Sequence, residues 1–139
     1  MNRIALLVGI CLIFVSCGKD PSGVPDVPVS FRATIFGNPQ YSGLSVPGGY
    51  VEVPGQGVAG LIIYRTDFRG LVAYDRCSTV NPEKECAVHV TTVFTATDPC
   101  SGAIFSLLDG SPQNNIATKP LKTYYVTESS NGQQISVSN

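Results

Sequence analysis

From Ser30 onward the sequence is a succession of short apolar or alternating runs, each closed by Gly or Pro, and this punctuation restricts the chain to strands and turns. Phe31, Ala33 and Ile35 alternate with Arg32 and Thr34, the pattern of a first strand. Pro47-Gly48-Gly49 is a turn before Tyr50-Val51-Glu52-Val53, and Pro54-Gly55-Gln56-Gly57 is another before the buried-type run VAGLIIYR at 58–65. Residues 71–74 form the next strand, and AVHVTTVFTA at 87–96 is β-branched and long enough for a central one. The runs 103–107, 122–127 and 134–137 complete the set. Asp109-Gly110 marks a tight turn, and Ser130-Asn131-Gly132 joins the last two strands as a hairpin. Apolar residues nowhere recur at helical spacing across three turns, and residues 41–44 leave room for one helical turn. The expected class is all-β, which suits a chain with 14 Gly and 10 Pro among 139 residues.

The opening residues follow a different rule. Asn2 and Arg3 precede twelve uncharged residues, IALLVGICLIFV, too few for the roughly 20 that a membrane-spanning helix needs. Length and flanks favour a signal peptide over residues 1–16. Phe14-Val15-Ser16-Cys17 resembles the bacterial lipobox, with Phe14 where Leu is usual. That resemblance makes Cys17 the mature N-terminus and the lipid attachment site, so that the membrane is reached through lipid on Cys17. It places the protein in a bacterial cell envelope, on the inner or the outer membrane. Residues 17–29 then form a lipidated tether, whose Pro21, Pro25 and Pro28 favour extended geometry and suggest a spacer. Residues 30–139 remain as one β domain, large enough for a core of its own.

Charge and histidine content narrow the function. Nine basic against ten acidic residues give a net charge of −1, so a nucleic-acid surface is not expected. His89 is the one histidine, which excludes a site needing two imidazoles from one chain. No Gly-rich phosphate loop, nucleophile elbow or paired-carboxylate spacing is present, and no enzyme activity is expected.

Two loops carry a family resemblance. Asp98-Pro99-Cys100-Ser101-Gly102-Ala103-Ile104-Phe105 is followed by Leu108-Asp109-Gly110-Ser111 and by Ala117-Thr118-Lys119-Pro120-Leu121 before an aromatic strand. The order resembles the second cluster-binding box and C-terminal sheet of Rieske iron–sulfur proteins. Tyr74-Asp75-Arg76-Cys77-Ser78-Thr79 stands where that family has its first box. Val46-Pro47-Gly48-Gly49-Tyr50 and the 105–111 run are similar to a group of Rieske-like lipoproteins of the Bacteroidetes. The resemblance implies small antiparallel sheets with two loops projecting together at a tip.

A Rieske [2Fe–2S] centre takes two Cys on one iron and two His on the other. By the resemblance these four ligands fall on Cys77, Thr79, Asp98 and Ser101, so three of the four are oxygen groups that hold such clusters poorly. No cofactor is expected. The expected role is a structural or binding module, with an envelope protein or ligand as partner at the tip loops. The alternative is an electron carrier holding a [2Fe–2S] centre through non-standard ligands. The family's non-ligand Cys of the second box corresponds to Cys100, which in high-potential members is bridged to the first loop. Cys86 is its candidate partner here, with Cys77–Cys100 and Cys77–Cys86 as other pairings. An odd thiol remains in each case. Three lesser readings stand beside this one: Cys77 as a reactive thiol or an inert buried one, His89 as its base, and Asp98 with Ser101 as part of an oxygen-rich Ca²⁺ site or as plain turn residues.

Overall fold

The computed structural model describes residues 20–139, so the expectations for the signal peptide, Cys17 and the first residues of the tether lie outside the described residues. Among the described residues nine strands follow one another: β1 (Ser30–Thr34), β2 (Tyr50–Val53), β3 (Leu61–Arg65), β4 (Leu71–Asp75), β5 (His89–Val90), β6 (Thr95–Thr97), β7 (Ile104–Ser106), β8 (Thr123–Glu128) and β9 (Gln134–Ser138). Single 3-10 turns at Ser42–Ser45 and Pro82–Lys84 interrupt them. The class is all-β, as the turn punctuation requires. All pairings between strands are antiparallel, in a six-stranded sheet of order β1-β9-β8-β4-β3-β2 and a three-stranded sheet of order β5-β6-β7.

The larger sheet curls on itself. Ile135 and Val137 of β9 share one buried cluster with Leu61 and Ile63 of β3 and Val53 of β2, although these strands lie toward opposite ends of the sheet order. The other face of β3 and β4, carrying Ile62, Tyr64 and Tyr74, packs on Val88, Ala96, Phe105 and Leu107 around the smaller sheet. Strands β3 and β4 are thus covered on both sides, and this is why 61–64 reads as a continuous apolar run without alternation. Each such side chain contributes about 1.5–3 kcal/mol on full burial. The Tyr74 hydroxyl, inside this layer, donates to the Leu107 carbonyl at 3.1 Å.

One expected strand is not a strand. Residues 87–96 break into β5, a turn and β6, which pair as a hairpin with His89 opposite Thr97. The threonines cause the reversal. Thr92 Oγ1 accepts from the Phe94 and Thr95 amides, and the Thr95 carbonyl accepts from the Thr91 and Thr92 amides. Hydroxyls that satisfy nearby amides compete with a ladder, and here they prevail over β propensity. Val93 and Phe94 are left exposed at the turn.

The tether also departs from the spacer reading. Residues 20–29 are extended, as their prolines dictate, but lie along the domain. Ser22, Val24 and Val29 are buried. Lys122, itself 3% exposed, reaches Asp26 at 2.6 Å and Asp20 at 3.4 Å. The Asn139 side chain accepts from the Val29 amide and donates to the Val27 carbonyl.

Candidate functional site

The tip is built where β4 and β6 end. Asp75, the last residue of β4, is fully buried and accepts four hydrogen bonds: from the Val58, Ala59 and Cys77 amides and from the Tyr124 hydroxyl. Gly57 is obligatory beside it, since a Cβ there would meet Asp75 Oδ2 at 2.3 Å and the backbone φ is +66°. Burial, then the bond to Asp75, pushes the Tyr124 hydroxyl pKa up. The Asp75 carboxylate fixes the departure of the first tip loop, which returns as an antiparallel bridge between Cys77 and Ala87. Asn81 and Glu85, both at φ 52°, reverse the chain on either side of the 3-10 turn at Pro82–Lys84. A left-handed residue with a Cβ costs about 1–2 kcal/mol, so the loop is held by its surroundings rather than by local preference.

A second carboxylate joins the two loops. Asp98 is fully buried. Its Oδ2 accepts from Ser78 Oγ at 2.6 Å and from Ser101 Oγ at 2.5 Å, while Oδ1 accepts from the Cys100 amide at 2.8 Å. Burial opposes the charge of Asp98, but the bonds from Ser101, Ser78 and Cys100 hold its carboxyl below the usual range. The disulfide between Cys86 and Cys100 crosses the same gap. Among the described residues three pairings of the thiols are open; this is the one formed, and Cys77 is left as the free thiol.

The four positions of the suspected ligand set do different work. Cys77 is fully buried and donates to the Pro82 carbonyl at 3.4 Å. Burial, then the negative charges of Asp75, Glu85, Asp98 and Glu83, pushes its thiol up to about 12. Thr79 donates to the Lys119 carbonyl at 2.8 Å and so ties the tip to a third loop. Asp98 and Ser101 are bonded to each other. As a donor set, one thiol, two hydroxyls and a carboxylate already holding three donors do not fit a [2Fe–2S] cluster, which calls for two thiolates and two imidazoles. Cys86, Asp98 and Cys100 bring potential ligand atoms within 4.8 Å of one another, but the two sulfurs there are spent on their own bond.

The lesser readings resolve on the same contacts. His89 is exposed and lies against Glu52 Oε2 at 3.3 Å and the Arg76 guanidinium at 2.8 Å, so its partners are these and not Cys77. Arg76 donates to the Val88 carbonyl at 3.0 Å and pairs with Glu52 at 3.2 Å. Asp98 and Ser101 behave as turn residues that satisfy local donors. Asp75 is fully occupied and Asp109 serves Ser111 in its own turn, where bonds from that residue hold its carboxyl low. Ser78, the residue that links the loops, stands between two ligand positions and had no motif of its own. Asn114, which donates to the Gly102 carbonyl and braces the second loop, was equally silent.

No known family model matches the sequence, and no curated relative does. Two crystal structures are similar in fold. One is assigned as an NADH-dependent nitrite reductase small subunit from Mycobacterium tuberculosis, with 19% identity, a TM-score of 0.45, 82% of this chain covered and 97% of that one. The other is assigned as the small subunit of an NADPH nitrite reductase, with 17% identity, a TM-score of 0.41, 77% of this chain covered and 97% of that one.

Proposed function

We propose that this chain is a Rieske-like module whose cluster positions have been taken over by its own hydrogen bonds, carried on a lipid anchor in a bacterial cell envelope. Its place is then beside the lipoproteins of that type in the Bacteroidetes. It acts as a structural or binding module and not as an enzyme. The observation that carries this reading is the buried Asp98 carboxylate bonded to both Ser78 and Ser101. Where the family resemblance places a Cys and a His ligand, the protein has a carboxylate and a hydroxyl whose hydrogen bonds link the two loops. The disulfide reinforces it from outside. A rigid, cross-linked pair of loops on a β scaffold is a binding surface of low entropic cost, and the partner is an envelope protein or ligand met by 77–86 and 98–103.

The test is iron and acid-labile sulfide with a visible spectrum, on the full chain extracted in detergent and purified without oxygen. Background iron and no visible absorbance are expected. Two irons and two sulfides per chain, the content of one [2Fe–2S] centre, would overturn the proposal. For the anchor, the mass of the N-terminal peptide should show a diacylated Cys17, and the Cys17→Ala chain should leave the membrane fraction. An unmodified Cys17 refutes it. For the tip, a pull-down with both loops replaced by short Gly-Ser turns should lose the partner that wild type retains.

A further inference from the structure

Among the described residues, the docked tether has a consequence for how the domain meets a bilayer, and it rests on the lipid anchor proposed above. We infer that the strap of residues 20–29 holds the disulfide-tipped end of the domain against the membrane in which the chain is anchored, and turns the apolar hairpin end away from it.

The strap is a built feature. The Asp20 carboxylate accepts from the Ser22 amide at 2.8 Å and from its hydroxyl, closing a tight turn, and also faces Lys122 at 3.4 Å. Gly23 passes beneath Lys119, since a Cβ there would lie 3.0 Å from its Nζ. Lys122, Ser22, Val24 and Val29 are buried, and Asn139 grips the chain at Val27 and Val29. Thirteen Cα-to-Cα steps separate Cys17 from Ser30, and a free chain of that length would reach about 45 Å. With Asp20 clamped, only the three Cα-to-Cα steps from Cys17 to Asp20 are left as leash, at most about 11 Å.

The clamp lies at the tip end. Lys119 and Lys122 precede β8, whose first residue Thr123 pairs with Tyr74 near the end of β4. The Asp75 amide donates to the Lys122 carbonyl, and Thr79 of the tip donates to the carbonyl of Lys119. The strap, the first tip loop and the start of β8 therefore meet at one end of the sheets. The opposite end carries the β3–β4 turn with Phe68, 96% exposed, the β5–β6 turn with Val93 and Phe94, and Leu108, whose carbonyl receives Arg69. Leu71 to Asp75 alone separates the ends by about 13 Å at 3.3 Å per residue. A leash shorter than the domain cannot exchange one end for the other. The occupant of the strap face is the lipid headgroup layer, and any protein partner of the tip must be reachable there.

The experiment uses the full lipidated chain in vesicles with a nitroxide on the lipid headgroup, a short-range quencher. A thiol-directed fluorophore is placed on T118C, beside the clamp, or on F68C, at the far end; the buried Cys77 does not compete. Probes on T118C should be quenched several-fold more than probes on F68C. Twelve Gly-Ser residues inserted between Lys19 and Asp20 leave the fold untouched and should erase the difference. Equal quenching at the two positions, on a chain whose N-terminal peptide carries its lipid, overturns the orientation alone. A chain without lipid overturns the anchor, and the orientation with it.

Discussion

Replacing both bridged cysteines by serine tests how the tip is held. Cys86 and Cys100 are 14 residues apart in sequence, so the bridge closes a loop of about 15 residues in the unfolded chain. Chain entropy assigns such a closure roughly 3 kcal/mol. The native side should change little, because the Ser78–Asp98 bond joins the same two loops independently and the Cys77–Ala87 bridge closes the first of them on itself. The whole effect then falls on the unfolded state. Against a domain stability of about 5–15 kcal/mol, C86S/C100S should remain folded. Its midpoint in urea should fall by about 1–3 M for slopes of about 1–3 kcal/mol per M, and its melting temperature by roughly 10 °C. Far-UV circular dichroism or tyrosine fluorescence reports the transition, as the chain has six Tyr and no Trp. Reduced wild type should superimpose on the variant. A loss below about 1 kcal/mol would mean that the bridge does not constrain the loop as chain entropy requires. Complete unfolding would mean that the disulfide builds the tip and the carboxylate does not.

Two further outcomes follow from the buried acidic and thiol groups. Asp98→Asn should destabilise by about 1–3 kcal/mol at neutral pH, since it replaces hydrogen bonds to a charge by neutral ones. The folded carboxyl lies below its ordinary value of 3.8, so its contribution is complete above that pH and is lost as pH falls through the folded value. Urea titrations at several pH values should show the gap between wild type and variant closing in acid, and a gap that widened there would refute the assignment. Cys77, pushed up to about 12 by burial and four nearby carboxylates, holds almost no thiolate at pH 8. A thiol reagent should leave Cys77 of the folded chain unlabelled for hours and label it once urea unfolds the chain; rapid labelling of Cys77 in the native protein would identify a reactive cysteine.

The strands were largely legible because Gly and Pro bracket them and because Leu61 to Tyr64 leave no polar residue for a solvent face. Residues 87–96 depart from their sequence pattern for a definite reason. Composition favours a strand, but Thr92 presents its hydroxyl to the amides two and three residues on, and local capping is invisible to a two-residue period. The tip was legible as chemistry and not as structure: Asp98 and Ser101 could be seen to be unlike thiolate and imidazole, while their union with Ser78 depends on loops brought together by the fold. The strap was hidden for the same reason. Nothing near Asp20 or Asp26 announces Lys122, about a hundred residues away, and prolines that suit a free spacer suit a docked one equally well.

The pairing of β1 with β9 sets an order of events. Thr34 lies opposite Gln134 and Ser30 opposite Ser138, so the first strand has no neighbour until the last has been synthesised. Contacts of such long sequence separation form late and slowly. An emerging chain therefore keeps its N-terminal strand and strap open through nearly the whole of translation. Under the export proposed for this chain, that delay is useful: the closure that finally seats Asn139 against Val29 comes too late to jam the chain on its way across a membrane.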